Sequence, residues 1–210
     1  KMKKIKFFFI IFISIFLTKT SFSAEAIKPM KVDWTFKGLT GKFDRASLQR
    51  GFQVYKEVCS SCHSMKYLSY RNLGQPGGPE FTEEEVKAIA ASFEITDGPD
   101  SQGEMFTRPG RPADKFLNPY PNDEAAKAAN GGAYPPDMSV LVKARKGGAN
   151  YIYSVLLGYE EKPESVILDE GVYYNKYMAG QKIKMPKVLS DGLVEYADGT
   201  VSSEAQMAKD

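Results

Sequence analysis

Five consecutive residues carry the chemistry of this chain: Cys59-Ser60-Ser61-Cys62-His63. Two thiols three positions apart at the end of a helix can reach both vinyl groups of one porphyrin. The histidine that follows is then carried beneath the iron, so C-x-x-C-H reads as a c-type haem attachment site. Other chemistries fit the pattern less well. A thioredoxin-like dithiol wants a strand-to-helix setting within a βαβ pattern, whereas here a helical pattern leads in and a Gly- and Pro-rich loop follows. A structural zinc ion wants four ligands, and the chain holds two cysteines and one histidine. A plain disulfide between Cys59 and Cys62 is the last alternative.

Because His63 is the only histidine, a second axial ligand would be Met, Lys, Tyr, a water or nothing. Of the eight methionines, Met2 falls in the leader, Met65 is too near His63, and Met207 lies in the last helical stretch. Met30, Met105, Met138, Met178 and Met185 remain. Met185 stands before Pro186 in a loop stiff enough to hold a thioether, and Met178 lies in a similarly open stretch. Met138 falls on a helical face, where packing is the expected role. The residues alone leave this choice open. A thioether opposite histidine fills the coordination sphere and raises the reduction potential, which disfavours oxidase or peroxidase chemistry.

The elements that must position this motif follow from local signals. Asp44 can cap a helix running towards Cys59, with Leu48, Phe52 and Tyr55 on one face. Gly51 inside that helix costs about 1 kcal/mol against Ala, which points either to a close contact there or to simple tolerance. Residues 72–80 form a loop. Thr82 with Glu85 reads as a capping box opening a helix with Val86, Ile89, Ala90 and Phe93 on one face. The stretch 97–122 is rich in proline and glycine, so no regular element is expected to last there. Its Phe106, Arg108, Arg111, Phe116 and Tyr120 argue for a packed covering. A short helix is expected from Asp123 to Ala129, stopped by Asn130-Gly131-Gly132. Another is expected from Pro135-Pro136-Asp137, carrying Met138, Leu141 and Val142 and ended by Gly147-Gly148. Tyr151 to Leu157 reads as a buried helix, residues 171–200 as short strands, and Ser203 to Asp210 as the start of a helix.

Composition is that of a folded globular chain: 42% hydrophobic and 26% charged residues. The net charge of +2 hides an asymmetry. Residues 1–26 carry five lysines against Glu25, or +4, which leaves −2 for the rest. A mildly acidic domain speaks against nucleic acid as a partner and for a basic protein. Residues 1–26 resemble a secretory signal, with a basic start and an apolar run from Phe7 to Leu17. That run is shorter than the ~20 residues a span needs. Cleavage is expected after Ser23 or Ala26, and the remainder, 27–210, is expected to work outside the cytoplasm. Lys143, Arg145 and Lys146 form a basic run, read either as a solvated helix end or as a contact for a haem propionate. The acidic groups at Glu83–Glu85, Asp97–Glu104 and Glu160–Glu164 read as solvated faces or as steering charges.

Longer segments carry a family resemblance. CSSCHSMKYLSYRNL from Cys59, DGPDSQGEMFTRPGRPADKF from Asp97, NPYPNDEAAKAANGGAYPPDMS from Asn118, VKARKGGANYIYSVLLGY from Val142 and GVYYNKYMAGQKIKMP from Gly171 together resemble cytochrome c1. That family supplies the haem subunit of the quinol–cytochrome c reductase (the cytochrome bc1 complex). The resemblance covers nearly all of residues 33–210. It implies a mainly α, cytochrome c-type haem domain with long Pro/Gly-rich loop insertions and a few short strands. It implies one covalent haem c, with thioethers at Cys59 and Cys62, His63 and Met185 as iron ligands, Arg145 at a propionate, and Asn130, Pro136 and Tyr151 near the haem. It also implies a one-electron relay from the Rieske iron–sulfur protein to a soluble c-type cytochrome, beside membrane-embedded cytochrome b. The expected location is the periplasmic side of a bacterial inner membrane. Such a chain is not an enzyme alone; the whole complex is. Family members continue into a C-terminal transmembrane helix, so this chain is expected to be truncated before it. A free-standing soluble cytochrome c and a haem enzyme with an open site are the competing readings.

Overall fold

The stretch that leads into the cysteine pair folds as helix α1, Arg45–Glu57. Asp44 caps it by accepting the Ser47 N–H at 2.8 Å, which satisfies one of the donors a helix start leaves free. The structure is a computed structural model that describes residues 27–210; the leader expected over residues 1–26 lies outside the described residues.

α1 separates two cores. Phe52 and Tyr55 face an aromatic cluster built with Tyr70, Leu73, Val86 and Phe116. Within it Tyr70 and Phe116 stack at 4.9 Å between centroids. Val54 faces the other way, onto Leu189, Val194, Tyr196 and Met207. The last helix of the described chain, Glu204–Lys209, is capped by Ser203 through the Gln206 N–H and lays Met207 into that second core. Gly51 is where the end of the chain comes closest: a Cβ there would stand 2.2 Å from the Asp210 carbonyl oxygen. The glycine is therefore required by a close approach. Arg50 clamps the same place, with Nε and Nη2 each 2.9 Å from the Asp210 carboxylate, whose side chain is fully buried.

α2, Glu83–Ala91, opens on the expected capping box of Thr82 and Glu85. It buries Val86 and Ala90. The stretch that follows departs from expectation. β1, Glu94–Asp97, pairs antiparallel with β2, Phe106–Pro109, in the register Glu94↔Pro109 to Asp97↔Phe106. The Arg108 side chain holds this pair: it bonds Asp97 across the sheet at 2.5 Å and, beyond it, both oxygens of Asp114 at 2.7 and 2.9 Å. Residues 111–116 then run along 68–71 through Tyr70 N–H to Asp114, Arg71 N–H to Pro112 and Phe116 N–H to Leu68. Of the aromatics expected to form a packed covering, Phe116 is buried in the first core, while Phe106 stays exposed.

α3, Asp123–Ala129, is capped by Asn122, and α4, Ala149–Leu157, is the expected buried helix. The helix expected after Pro135-Pro136-Asp137 does not form. Residues 138–147 run as successive turns. Met138 N–H is spent on the Ser64 carbonyl at 2.8 Å, and Gly147 and Gly148 take φ of +98° and +56°, which breaks any helical path. The strands expected over 171–200 shrink to β3, Tyr173–Tyr174, paired antiparallel with β4, Lys182–Ile183. The final helix, Glu204–Lys209, is α5. The chain as described is mostly helical in its regular structure, with a few short strands.

Candidate functional site

Immediately beyond α1 the backbone tightens into a 3-10 turn over Cys59–Ser61. The N–H groups of Cys62 and His63 both donate to the Cys59 carbonyl, at 3.1 and 2.9 Å. Ser60 and Ser61 turn their hydroxyls back onto the carbonyls of Lys56 and Val58, both at 2.8 Å. These bonds satisfy carbonyls that the end of α1 would leave open. Both cysteines are free, so the plain disulfide is not formed. Burial, with the neighbouring Cys62 as a smaller cause, pushes the Cys59 thiol up to about 11. A reactive dithiol needs the opposite shift.

His63 is oriented from far away in the chain. Its Nδ1 lies 2.8 Å from the carbonyl oxygen of Pro136. A carbonyl can only accept, so Nδ1 carries the proton and Nε2 presents its lone pair. The segment after the motif is zipped to the segment after Pro136. The Asp137 carboxylate accepts from the Ser64 hydroxyl and the Lys66 N–H at 2.8 Å, and from the Ser139 N–H at 3.0 Å. Burial alone would raise the Asp137 carboxyl, but these bonds outweigh it and hold the group below the usual range.

A second group lies in the third core, around Val155, Tyr177 and Ile183. Met185, Met178, Tyr151 and Tyr159 pack against it. The Tyr159 hydroxyl donates to the Met185 carbonyl at 2.9 Å. The Tyr151 hydroxyl donates to the Met178 sulfur at 3.3 Å, so one of the three thioethers here, Met30, Met178 and Met185, is already engaged. Met185 and Met30 are the two whose sulfurs have no such donor among the described residues.

The other expected residues stand apart. Arg145 is exposed, forms no ion pair among the described residues, and reaches only the neighbouring Ala144 carbonyl, at 3.4 Å. It lies in the turn segment, so the helix-end reading of the basic run loses its helix. Asn130 closes α3: its amide donates to the Ala126 carbonyl at 2.7 Å and the Tyr120 hydroxyl at 3.1 Å. A hydrogen bond therefore joins His63 to Pro136, and Met185 and Tyr151 pack against the same core. A cavity of about 100 Å³ opens beside Cys62, between Ser64, Tyr120, Tyr134 and Pro135. Sequence reasoning missed Asp137 and Tyr159. The Asp-x-Ser pattern at 137–139 was a local turn signal that could have found the first. No local signal marked the second.

The donor set suits haem c. It offers two free thiols on one turn, an imidazole of fixed tautomer and a thioether on an apolar cluster. Among the described residues no three Cys, His, Asp or Glu side chains gather into an alternative metal site.

A family model described as the Cytochrome C1 family matches residues 34–210. The potato protein named "Cytochrome c1-2, heme protein, mitochondrial" is 54% identical over 177 residues, 84% of this chain and 67% of that protein. The "Cytochrome c1" of Rhodospirillum rubrum is 50% identical over 196 residues, 86% of this chain and 71% of that protein. The "Cytochrome b/c1" of Bradyrhizobium diazoefficiens is 50% identical over 202 residues, 87% of this chain but 29% of that much longer protein. The chain thus belongs to the cytochrome c1 family and spans only part of the length of these relatives. Among the described residues no helix is long and apolar enough to cross a membrane.

Proposed function

We propose that this chain carries one covalent haem c and relays single electrons within a cytochrome bc1 complex. The observation that carries this reading is the Nδ1 bond from His63 to Pro136, which frees Nε2 for iron one residue beyond the second thiol. Cys59 and Cys62 would hold the porphyrin as thioethers, and His63 and Met185 would be the ligands of its iron. Haem bound there supplies the one-electron iron couple. The chain's own residues hold the ring, exclude water and set the ligand strengths. Arg145, free of any carboxylate, suits a propionate. Pro136, Tyr151 and Asn130 would stand near the haem.

In this reading the electron arrives from the Rieske iron–sulfur protein and leaves to a soluble c-type cytochrome, with cytochrome b as the membrane-embedded neighbour. The chain is a carrier, and quinol oxidation belongs to the complex. Residues 1–26 serve as an export signal and 27–210 form the haem domain, with the segment 97–122 as its Pro/Gly-rich loop insertion. The domain faces the periplasm, beside the membrane-embedded part of the complex.

The test is a reduced-minus-oxidised visible spectrum of protein made in a periplasmic haem-maturation host, followed by an acid-acetone wash. A sharp α band that stays with the protein after the wash is expected. Exported, folded and colourless protein would overturn the reading and return Cys59 and Cys62 to thiol chemistry.

A further inference from the structure

We infer that Asp137 is a positioning residue that sets the His63–Pro136 hydrogen bond and, through it, the strength of the axial imidazole. The inference rests on the reading of His63 as an iron ligand.

The geometry begins with the peptide that holds the acceptor. The Pro136 carbonyl is coplanar with the Asp137 nitrogen, so the aim of that oxygen follows wherever Asp137 is anchored. Proline has no N–H of its own with which to tie the peptide down. The anchor is the Asp137 side chain. One of its oxygens accepts from the Ser64 hydroxyl and from the Lys66 N–H, both at 2.8 Å. Those donors lie one and three residues past His63. The other oxygen accepts from the Ser139 N–H at 3.0 Å, three residues past Pro136. A single carboxylate therefore grips the chain next to the donor ring and the chain next to its acceptor.

Two further bonds run the same way. Met138 N–H donates to the Ser64 carbonyl at 2.8 Å, and Tyr67 N–H donates to the Ser139 hydroxyl at 3.1 Å. Ser64 is 6% exposed, so its bond to Asp137 is sheltered from competing water. Only Asp137 touches both sides of the zipper with its side chain at three points. A hydrogen bond from the far nitrogen of a ligating imidazole raises its basicity, and residues that fix that bond matter nearly as much as the ligands. Stronger donation to iron favours the oxidised state, so a slack His63–Pro136 bond raises the reduction potential.

Asparagine offers one accepting oxygen where the carboxylate offers two, and its NH2 must face a donor on one side. D137N therefore loses part of the grip, and D137A loses all of it. S64A removes one donor and leaves the carboxylate. These variants are compared with wild type in the full chain, matured in a periplasmic haem host. The readings are hydrogen exchange of the His63 Nδ1 proton by NMR in the reduced state, the reduction potential, and the urea midpoint. Exchange is expected to quicken about tenfold or more in D137A, by less in D137N and S64A, with potential rising in the same order. Should D137A fail to mature, D137N and S64A give the same ordering. A coloured wild type whose variants keep wild-type exchange and potential, even with a lowered urea midpoint, overturns the positioning role and leaves a purely structural one. A wild type without haem overturns the ligand reading itself.

Discussion

Gly51 in the middle of α1 and Asp210 at the end of α5 meet backbone to backbone, leaving 2.2 Å between the Asp210 carbonyl oxygen and the place a Cβ would occupy. In an isolated helix Gly51→Ala would stabilise by about 1 kcal/mol. Here the methyl group meets main chain, and α1 and α5 must part. Overpacking of this kind costs about 1–3 kcal/mol, so the net effect is destabilising. Urea denaturation of Gly51→Ala should show a lower midpoint; a higher one would mean that the helices separate freely.

Thr82 closes the capping box of α2 by accepting the Glu85 N–H, while Glu85 accepts the Thr82 N–H at 2.7 Å. Thr82→Ala breaks the reciprocal pair and should cost about 1 kcal/mol. Thermal unfolding followed by circular dichroism would register this, and Thr82→Ser should restore most of it.

The hairpin of β1 and β2 hangs on Arg108, which holds the Asp114 carboxyl down at about 2, with a lesser contribution from the Arg111 N–H. An acid depressed on folding adds stability above its ordinary value, ~3.9 for aspartate, and that stability is lost as the pH falls towards the folded value. The hairpin should therefore loosen between about pH 4 and pH 2, which backbone hydrogen exchange of residues 94–109 would follow. Arg108→Gln should shrink this acid step, because the cation that does most to hold Asp114 ionised is gone and only the weaker influence of Arg111 stays.

Met185, which stands before Pro186, shares with Met30 a sulfur without a hydroxyl donor among the described residues, while Met178 is bonded by Tyr151. Met185→Ala should leave a haem that binds carbon monoxide quickly and completely in the reduced state, with a lower reduction potential. Stopped-flow mixing gives the first and a redox titration the second. Slow, partial binding in the variant would assign the ligand to Met178 or another residue.

What could be read in advance was what the chain decides locally. Asp44, Thr82 with Glu85, and Ser203 cap helices through bonds to residues three positions away. The Cys59–His63 turn likewise closes on its own carbonyls. The failures share a different cause. Met138, Leu141 and Val142 have helical spacing, but the Met138 N–H is drawn off by Ser64, and Met138 itself packs against the first core. The β1–β2 pair does carry strand formers in Ile95, Thr96, Phe106 and Thr107, but the prolines and glycines around them masked it, and it depends on the reach of Arg108 to Asp114. The link from Tyr159 to the Met185 carbonyl spans 26 residues, and nothing near either residue announces it. Gly51 lay between these cases: its position hinted at a contact, and only the fold supplied Asp210 as the partner.

The donor and acceptor that fix the His63 tautomer lie 73 residues apart in sequence. Until the exported chain folds, the two thiols and the imidazole ride on a peptide that has no acceptor for Nδ1 and no α5 to close over Gly51. Any machinery that handles the motif as a linear tag must act on that extended chain, before His63 meets the Pro136-Asp137 latch.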